Sequence, residues 1–367
     1  MPSEKPHSAD RLARAVLRTV AALPRPVQRL LGGRPLRIDG TELDTEVQLG
    51  LRLMTLAAGT TFEKLPLPEG RAQIDREAWI VGAASEVGEV RELTVAGADG
   101  PIPARLYRPH HDPGLRLPLL VYFHGGGFVL GGLGAADSVC RFLAAKAGVA
   151  VLSVDYRLAP EHPFPAGVND AIAAFDHAIA HADDLGIDPT AVGVGGESAG
   201  GNLAAVVSLA TTIEARTRPD RRTPDFQLLF MPVTDLSSKH RSYELFGDGL
   251  FLTEAQMDWY RDHYLTDPAQ AVDPLVSPLL AEDLSGLPPA YVATAGFDVL
   301  RDEGEAYARR MREAGVPVGI RRHPGIVHGL VNATGVGQAA TAALAEAAGA
   351  LQIGLRSSVP ATNGGRR

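Results

Sequence analysis

Three residues in the 367-residue chain have types and settings suited to nucleophilic catalysis: Ser198, Asp298 and His328. A serine hydroxyl is a weak nucleophile and needs an adjacent base. An imidazole can take its proton near neutral pH. A carboxylate can fix the imidazole tautomer and stabilise the imidazolium that forms. Ser198 lies in Gly196–Glu197–Ser198–Ala199–Gly200, between a strand-like run from Val192 and the helix-forming stretch Leu203–Ala210. In a strand–turn–helix setting, G-x-S-x-G lifts the serine on a sharp turn. That turn strains the backbone of any residue with a side chain. It also brings the chain close to its neighbours, so Gly196 and Gly200 carry no Cβ. The helix that follows presents free N–H groups and a positive dipole end toward charge developing near Ser198. With 40 glycines in the chain, five residues cannot establish the motif alone, and its surroundings must decide.

The elements that would position these groups alternate along the chain. Val90–Val95 and Ile102–Tyr107 alternate apolar and polar residues around Gly97, Gly100 and Pro101, which predicts a β-hairpin. Leu119–Phe123 is a continuous apolar run, as in a strand buried on both faces, and it ends in His124–Gly125–Gly126–Gly127–Phe128. Val149–Val154 is a second buried strand, followed by a rigid loop, Tyr156–Pro163, and a helix over Val168–Ala182. After the serine come strands at Phe226–Met231, Tyr291–Ala295 and Val318–Arg322, with a helix over Glu303–Ala314 closed by Gly315. Val336–Leu351 is a last, Ala-rich helix, and Ser357–Arg367 reads as a polar tail. Alternation from residue 119 onward predicts an α/β fold with a mostly parallel, doubly wound sheet. Lys239–Gln270 interrupts it with an aromatic helical segment (Tyr243, Phe246, Phe251, Trp259, Tyr260, Tyr264). With the N-terminal region, where Asp44–Ala58 reads as a helix and Pro66, Pro68 and Gly70 as breaks, this segment is expected to cap the site. The expected organisation is an N-terminal cap segment (1–87), a first core part (88–238), a cap insertion (239–275), a second core part (276–354) and a disordered tail (355–367).

In open α/β sheets, ligands bind beyond the carboxyl ends of the strands. His124–Gly127, Ser198, Asp298 and His328 all fall at such ends, and the chain order serine, aspartate, histidine is that of α/β-hydrolases. His162, His240 and His323 are rivals for the base, but His328 is on the loop after the last strand, where catalytic groups tend to sit. Asp235 and Asp302 are rivals for the acid. Asp302 is favourable at a helix N-terminus in any case. His-Gly-Gly-Gly suits an oxyanion hole, because glycines let backbone N–H donors approach a developing negative charge. Ala199 N–H, just after the nucleophile, is a further donor. His124 and Glu197 are expected to support the loops, as is Gly125 between them.

Composition narrows the partners. Hydrophobic residues make up 45% and charged residues 21%, enough for a large core. The formal charge of −8 argues against nucleic acid. Cys140 is the single cysteine, so no intramolecular disulfide forms and a reducing, cytoplasmic setting is expected. No metal-ligand spacing such as H-E-x-x-H or C-x-x-C occurs, and no cofactor is expected. The one basic region is Met1–Arg34, with Lys5, Arg11, Arg14, Arg18, Arg25, Arg29 and Arg34 against Glu4 and Asp10. Arginines interrupt every apolar run there, so neither a signal peptide nor a transmembrane helix is expected. Arg11–Leu23 predicts an amphipathic helix. Its apolar face is expected to pack on the protein's own core, an anionic membrane surface being the alternative.

Five segments together resemble the hormone-sensitive-lipase-like family of α/β-hydrolase esterases. They are HGGGF at His124–Phe128, DYRLAPEHPFPA at Asp155–Ala166, GESAGGN at Gly196–Asn202, FDVLRDEG at Phe297–Gly304 and HGL at His328–Leu330. The likeness spans about residues 88–350. It implies Ser198 as nucleophile, Asp298 as acid, His328 as base and the N–H groups of Gly126, Gly127 and Ala199 as oxyanion hole. Asp298–Val299–Leu300 replaces the family's usual D-P-L, and Leu330 stands where an aromatic is common. Neither change touches a reacting atom, though both make the substrate less transferable. The resemblance implies a cofactor-free serine hydrolase of carboxylic esters with a small-molecule ester as partner, and a helical cap that closes the cleft at a finite depth predicts a preference for short to medium acyl chains. The resemblance also implies a homodimer through the edge strand Val318–Arg322. An amidase, lactonase or acyltransferase with the same three residues is the alternative. A non-catalytic receptor on this fold would lack the base, which is present here.

Overall fold

The computed structural model describes residues 7–57, 59–112 and 114–356. The N-terminal segment comprises α1 (Ser8–Ala21), α2 (Arg25–Gly32), a small hairpin of β1 (Arg37–Ile38) and β2 (Thr41–Glu42), α3 (Thr45–Ala57) and α4 (Leu67–Val81). Pro66, Pro68 and Gly70 therefore do not break the chain. Pro66 is the N-cap of α4 and Pro68 lies in its first turn, where the missing N–H would have had no helical partner.

An antiparallel hairpin follows, β3 (Glu89–Gly97) with β4 (Gly100–Arg108). Strands and helices then alternate: β5 (Leu117–Phe123), α5 (Asp137–Ala147), β6 (Ala150–Val154), α6 (Ala166–Ala180), α7 (Ala182–Leu185), β7 (Ile187–Glu197), α8 (Ala199–Ala215) and β8 (Gln227–Phe230). After α9 (Arg241–Phe246) and α10 (Glu254–Tyr264) come β9 (Ala290–Phe297), α11 (Arg301–Glu313), β10 (Val318–Val327) and α12 (Ala339–Arg356).

Eight strands form one sheet in the order β10-β9-β8-β7-β5-β6-β4-β3. Pairing is parallel from β10 through β6, while β4 joins β6 antiparallel. Helices α5 and α12 pack together, as do α6 and α8. The middle of the sheet is buried on both faces. β6 is buried throughout, and α8 is buried from Ala199 to Leu209. This is why their sequences are continuous apolar runs rather than alternating ones.

The last strand is longer than Val318–Arg322. It continues through a register break between His323 and Val327, where it pairs again with Phe297. Pro324 is tolerated there because β10 is the sheet edge. The last helix runs on through Arg356, and the expected tail beyond it lies outside the described residues.

The N-terminal helices meet another expectation only in part. Helix α1 packs on the protein through Asp10, Ala13, Arg14, Leu17, Val20 and Ala21, while Leu12 and Val16 face solvent. The Arg14 guanidinium lies 4.3 Å over the Trp79 ring and donates to Gly82 O. These polar anchors turn part of the apolar side, Leu12 and Val16, toward solvent.

Candidate active site

Ser198 joins β7 to α8 with φ +57° and ψ −118°, a strained conformation for a residue with a Cβ. The surroundings over-determine it. Ser198 N–H donates to Phe230 O at 2.9 Å, and Ser198 O accepts from Asn202 N–H and Val233 N–H. A Cβ on Gly200 would lie 1.9 Å from Phe123 O, and one on Gly196 2.3 Å from the same oxygen. Asn202 ties this helix start to the chain around it by donating to Val233 O and Val276 O. The serine side is nearly closed, at 8% exposure.

Asp298 follows β9 and His328 follows β10. These strands are neighbours, so two residues 30 apart in sequence come together. His328 Nδ1 and Asp298 Oδ2 are 2.9 Å apart, and Leu300 N–H donates to the other carboxylate oxygen. Both side chains are buried. An Nδ1–H donating to the carboxylate leaves Nε2 as the basic nitrogen. The rivals lie elsewhere in the fold. Asp235 accepts from Ser237, Ser238 and His240. Burial opposes ionisation there, but those bonds hold its carboxyl well below the usual range. Asp302 pairs with Arg301. His323 lies within β10, and burial lowers its pKa.

The glycine loop after β5 is fastened to the serine turn. Gly125 N–H donates to Glu197 Oε1 at 2.9 Å, Asn332 Nδ2 donates to the same oxygen at 3.3 Å, and Tyr122 O–H donates to Oε2. Glu197 thus links the loops that carry Gly125 and His328. Burial pushes its carboxyl above the ordinary glutamate value, against these hydrogen bonds. His124 stacks on Tyr156 with ring centroids 4.3 Å apart, and its Nδ1 lies 2.7 Å from Gly125 O. Among the described residues, no acceptor takes the N–H of Gly126, Gly127 or Ala199. Gly126 and Gly127 have φ +115° and +60°.

The cap reaches this loop. A Cβ on Gly127 would lie 2.1 Å from the Tyr260 ring, so α10 rests directly on the glycine. Phe62, before α4, stacks on Tyr260 at 5.5 Å, and Phe251 packs over Gly329. Two further groups support the site, Asn332 outside the quoted motifs and Glu303 inside the FDVLRDEG segment but given no role there. Asn332 braces Glu197. Glu303, fully buried, accepts from Thr234 N–H and Asp235 N–H. It thereby holds the turn whose Val233 N–H donates to Ser198 O. Among the described residues, no cluster of three or more His, Cys, Asp or Glu side chains could hold a metal. No helix among them is long and apolar enough to cross a membrane.

A mostly parallel sheet with a serine turn after β7 and a histidine–aspartate pair after β9 and β10 has the layout of a hydrolase of α/β type, and comparison with known proteins gives the same class. A family described as alpha/beta hydrolase fold matches residues 120–332. Carboxylic ester hydrolase LipN of Mycobacterium tuberculosis (strain ATCC 25618 / H37Rv) is 44% identical over 339 residues, covering 91% of this chain and 89% of that protein. The ethyl acetate hydrolase of Pseudomonas putida is 39% identical over 267 residues, covering 72% and 83%. Among solved structures, an ester hydrolase from the metagenome of Lake Arreo, complexed with a bipyridine phosphonate derivative, is 42% identical. Its TM-score is 0.80, over 84% of this chain and 98% of that one. The chain belongs to the hormone-sensitive-lipase-like esterases of the α/β-hydrolase fold, and it is an ester hydrolase.

Proposed function

We propose that the chain hydrolyses short to medium acyl esters through an acyl-enzyme on Ser198, without a cofactor. The observation that carries this reading is the 2.9 Å bond between His328 Nδ1 and Asp298 Oδ2 at the ends of adjacent strands. Ser198 Oγ attacks the ester carbonyl carbon and passes its proton to His328 Nε2. Asp298 stabilises the imidazolium without itself taking the proton. The carbonyl oxygen becomes an oxyanion, held by the N–H groups of Gly126, Gly127 and Ala199. Each such donor is worth about 3 kcal/mol. His328 then protonates the departing alkoxide. Water attacks the acyl-enzyme with His328 again as base, releasing the acid and restoring the serine. Every step uses the chain's own groups and water.

The acyl limit follows from the cap. Tyr260 on Gly127, braced by Phe62, and Phe251 over Gly329 place aromatic walls beside the site. A chain gains about 0.8 kcal/mol per buried CH₂ only while room remains. Measuring kcat/KM for p-nitrophenyl esters from acetate to palmitate tests this. A maximum at short or medium length is expected, and a maximum at palmitate with a jump in activity at an oil–water interface would overturn it.

We place the enzyme in the cytoplasm, where its one cysteine, Cys140, stays a buried thiol. A homodimer would pair through Val318–Arg322, since β10 is a sheet edge. The Asp44 N–H bond to Gly325 O lies beyond that stretch. Light scattering at micromolar concentration should give a dimer, and a monomer removes this part of the reading.

A further inference from the structure

The N-terminal helices leave much of their apolar surface outside. In α1, the residues turned toward the protein are Asp10, Ala13, Arg14, Leu17, Val20 and Ala21, and the exposed side is Leu12, Ala15, Val16 and Thr19. Leu12 is 66% exposed. In α2, Gln28 and Gly32 face inward, and the Gln28 amide donates to Ala21 O and Leu23 O. Leu30 on its outer side is 81% exposed, with Val27 and Leu31 also exposed beside it. A single exposed leucine is ordinary. Two consecutive amphipathic helices that bury a polar residue, Asp10 or Gln28, and leave Leu12, Val16, Leu30 and Leu31 in water are not, because each forgoes part of the burial that normally stabilises such a helix.

Charge indicates what covers this face. The chain carries −8 overall, yet residues 1–34 hold seven basic and two acidic residues. Arg11 borders the outer side of α1, while Arg18 turns back to donate to Gly82 O, and Arg29 and Arg34 lie in and just after α2. Arg11, Arg29 and Arg34 have no ion-pair partner among the described residues. A second copy docked by a two-fold axis would set the same patch against itself, bringing the arginine rows together without counter-charge. An anionic lipid surface satisfies both halves of the pattern. Leucine and valine enter the headgroup boundary, and the arginines meet lipid phosphates.

We propose that α1 and α2 form a docking surface for anionic phospholipid bilayers, so that the enzyme binds a membrane peripherally while its catalytic core stays in water. This goes beyond the ester-hydrolase reading and does not depend on it.

The test is co-sedimentation of the full chain with vesicles, alongside hydrolysis of a soluble acetate ester. The wild type should pellet with equimolar phosphatidylcholine–phosphatidylglycerol vesicles and stay in solution with pure phosphatidylcholine. High salt should weaken the binding. Leu12→Asp/Leu30→Asp and, separately, Arg11→Glu/Arg29→Glu should each weaken it at least tenfold. Both variants should keep wild-type hydrolysis and thermal midpoint, which shows that they fold. Because the leucines are exposed and these arginines have no ion pair among the described residues, either substitution leaves the core untouched. No binding to the mixed vesicles, equal binding to both vesicle types, or undiminished binding by both variants would each overturn the proposal. So would a wild-type dimer that Leu12→Asp/Leu30→Asp converts to monomer, which would show that a second copy covers the face.

Discussion

Glu197 Oε1 accepts the N–H of Gly125 at 2.9 Å. The residue just before the candidate nucleophile therefore holds the loop that carries two candidate oxyanion donors, across 72 positions of sequence. Asn332 Nδ2 reaches the same oxygen from the loop that carries His328. One buried carboxyl thus sets three loops relative to one another. Glu197→Ala should leave Gly125 N–H and Tyr122 O–H unpaired in the interior, at about 1–3 kcal/mol for each orphaned group. It should also lower kcat at least tenfold. Glu197→Gln keeps an acceptor for Gly125 and should lose much less. Steady-state kinetics with thermal unfolding distinguishes the two, and equal kinetics for Glu197→Ala and wild type would remove the positioning role.

Asp298 and its rivals separate cleanly. Asp298→Asn should lower kcat about 10⁴-fold, because the amide favours the wrong imidazole tautomer. Asp235→Asn and Asp302→Asn should each stay within a few-fold of wild type, since their bonds run to His240 and the nearby serines and to Arg301. Equal losses at all three positions would mean that the acid is not Asp298.

Tyr260 and Gly127 are packed so tightly that a methyl group does not fit between them. Gly127→Ala should therefore displace the loop and cost activity at least a hundredfold. Tyr260→Ala should open the wall beside the acyl chain and move the p-nitrophenyl ester optimum to longer chains. Each added CH₂ that finds room is worth about fourfold in kcat/KM. An unchanged optimum would assign Tyr260 to cap packing alone.

Glu303 supplies a pH test. Burial pushes its carboxyl well above the ordinary value, with the carboxylates of Asp235 and Asp298 adding to the shift against its two backbone bonds. The folded protein therefore holds this proton more tightly than the unfolded chain does. The stability it contributes is full below the unfolded value of about 4.3 and is lost as pH rises through the folded value. Glu303→Gln mimics the protonated form. It should match the wild type near pH 4 and exceed it in thermal midpoint increasingly toward alkaline pH, with hydrolysis retained. A constant difference across pH would contradict this.

Much of the sheet could be read from the chain, because buried parallel strands such as Leu119–Phe123 and Val149–Val154 are apolar runs that end in glycine or polar loops. The groups at strand ends were legible for the same reason. The turn at Ser198 was marked by the close approach that excludes side chains at Gly196 and Gly200. Other features depend on partners distant in sequence. Nothing near Glu303 announces its bonds to Thr234 and Asp235, and nothing near Asn332 announces Glu197. Prolines at 66 and 68 read as breaks because a helix start and a helix stop both favour proline, and α4 had no strong apolar period to decide between them. Periodicity revealed that α1 is amphipathic but not which side packs. Arg14 on Trp79 settles that, and no pattern within the helix contains it.

Every proposed step passes through Ser198 as the nucleophile, and active-site labelling tests that role most directly. Wild-type protein and Ser198→Ala, each shown to be folded by thermal unfolding, would be treated with a fluorophosphonate and assayed on a p-nitrophenyl ester. The wild type should take up one label on Ser198, and Ser198→Ala should take up none while kcat falls by several orders of magnitude. A Ser198→Ala protein that still labels and hydrolyses at the wild-type rate would contradict the account.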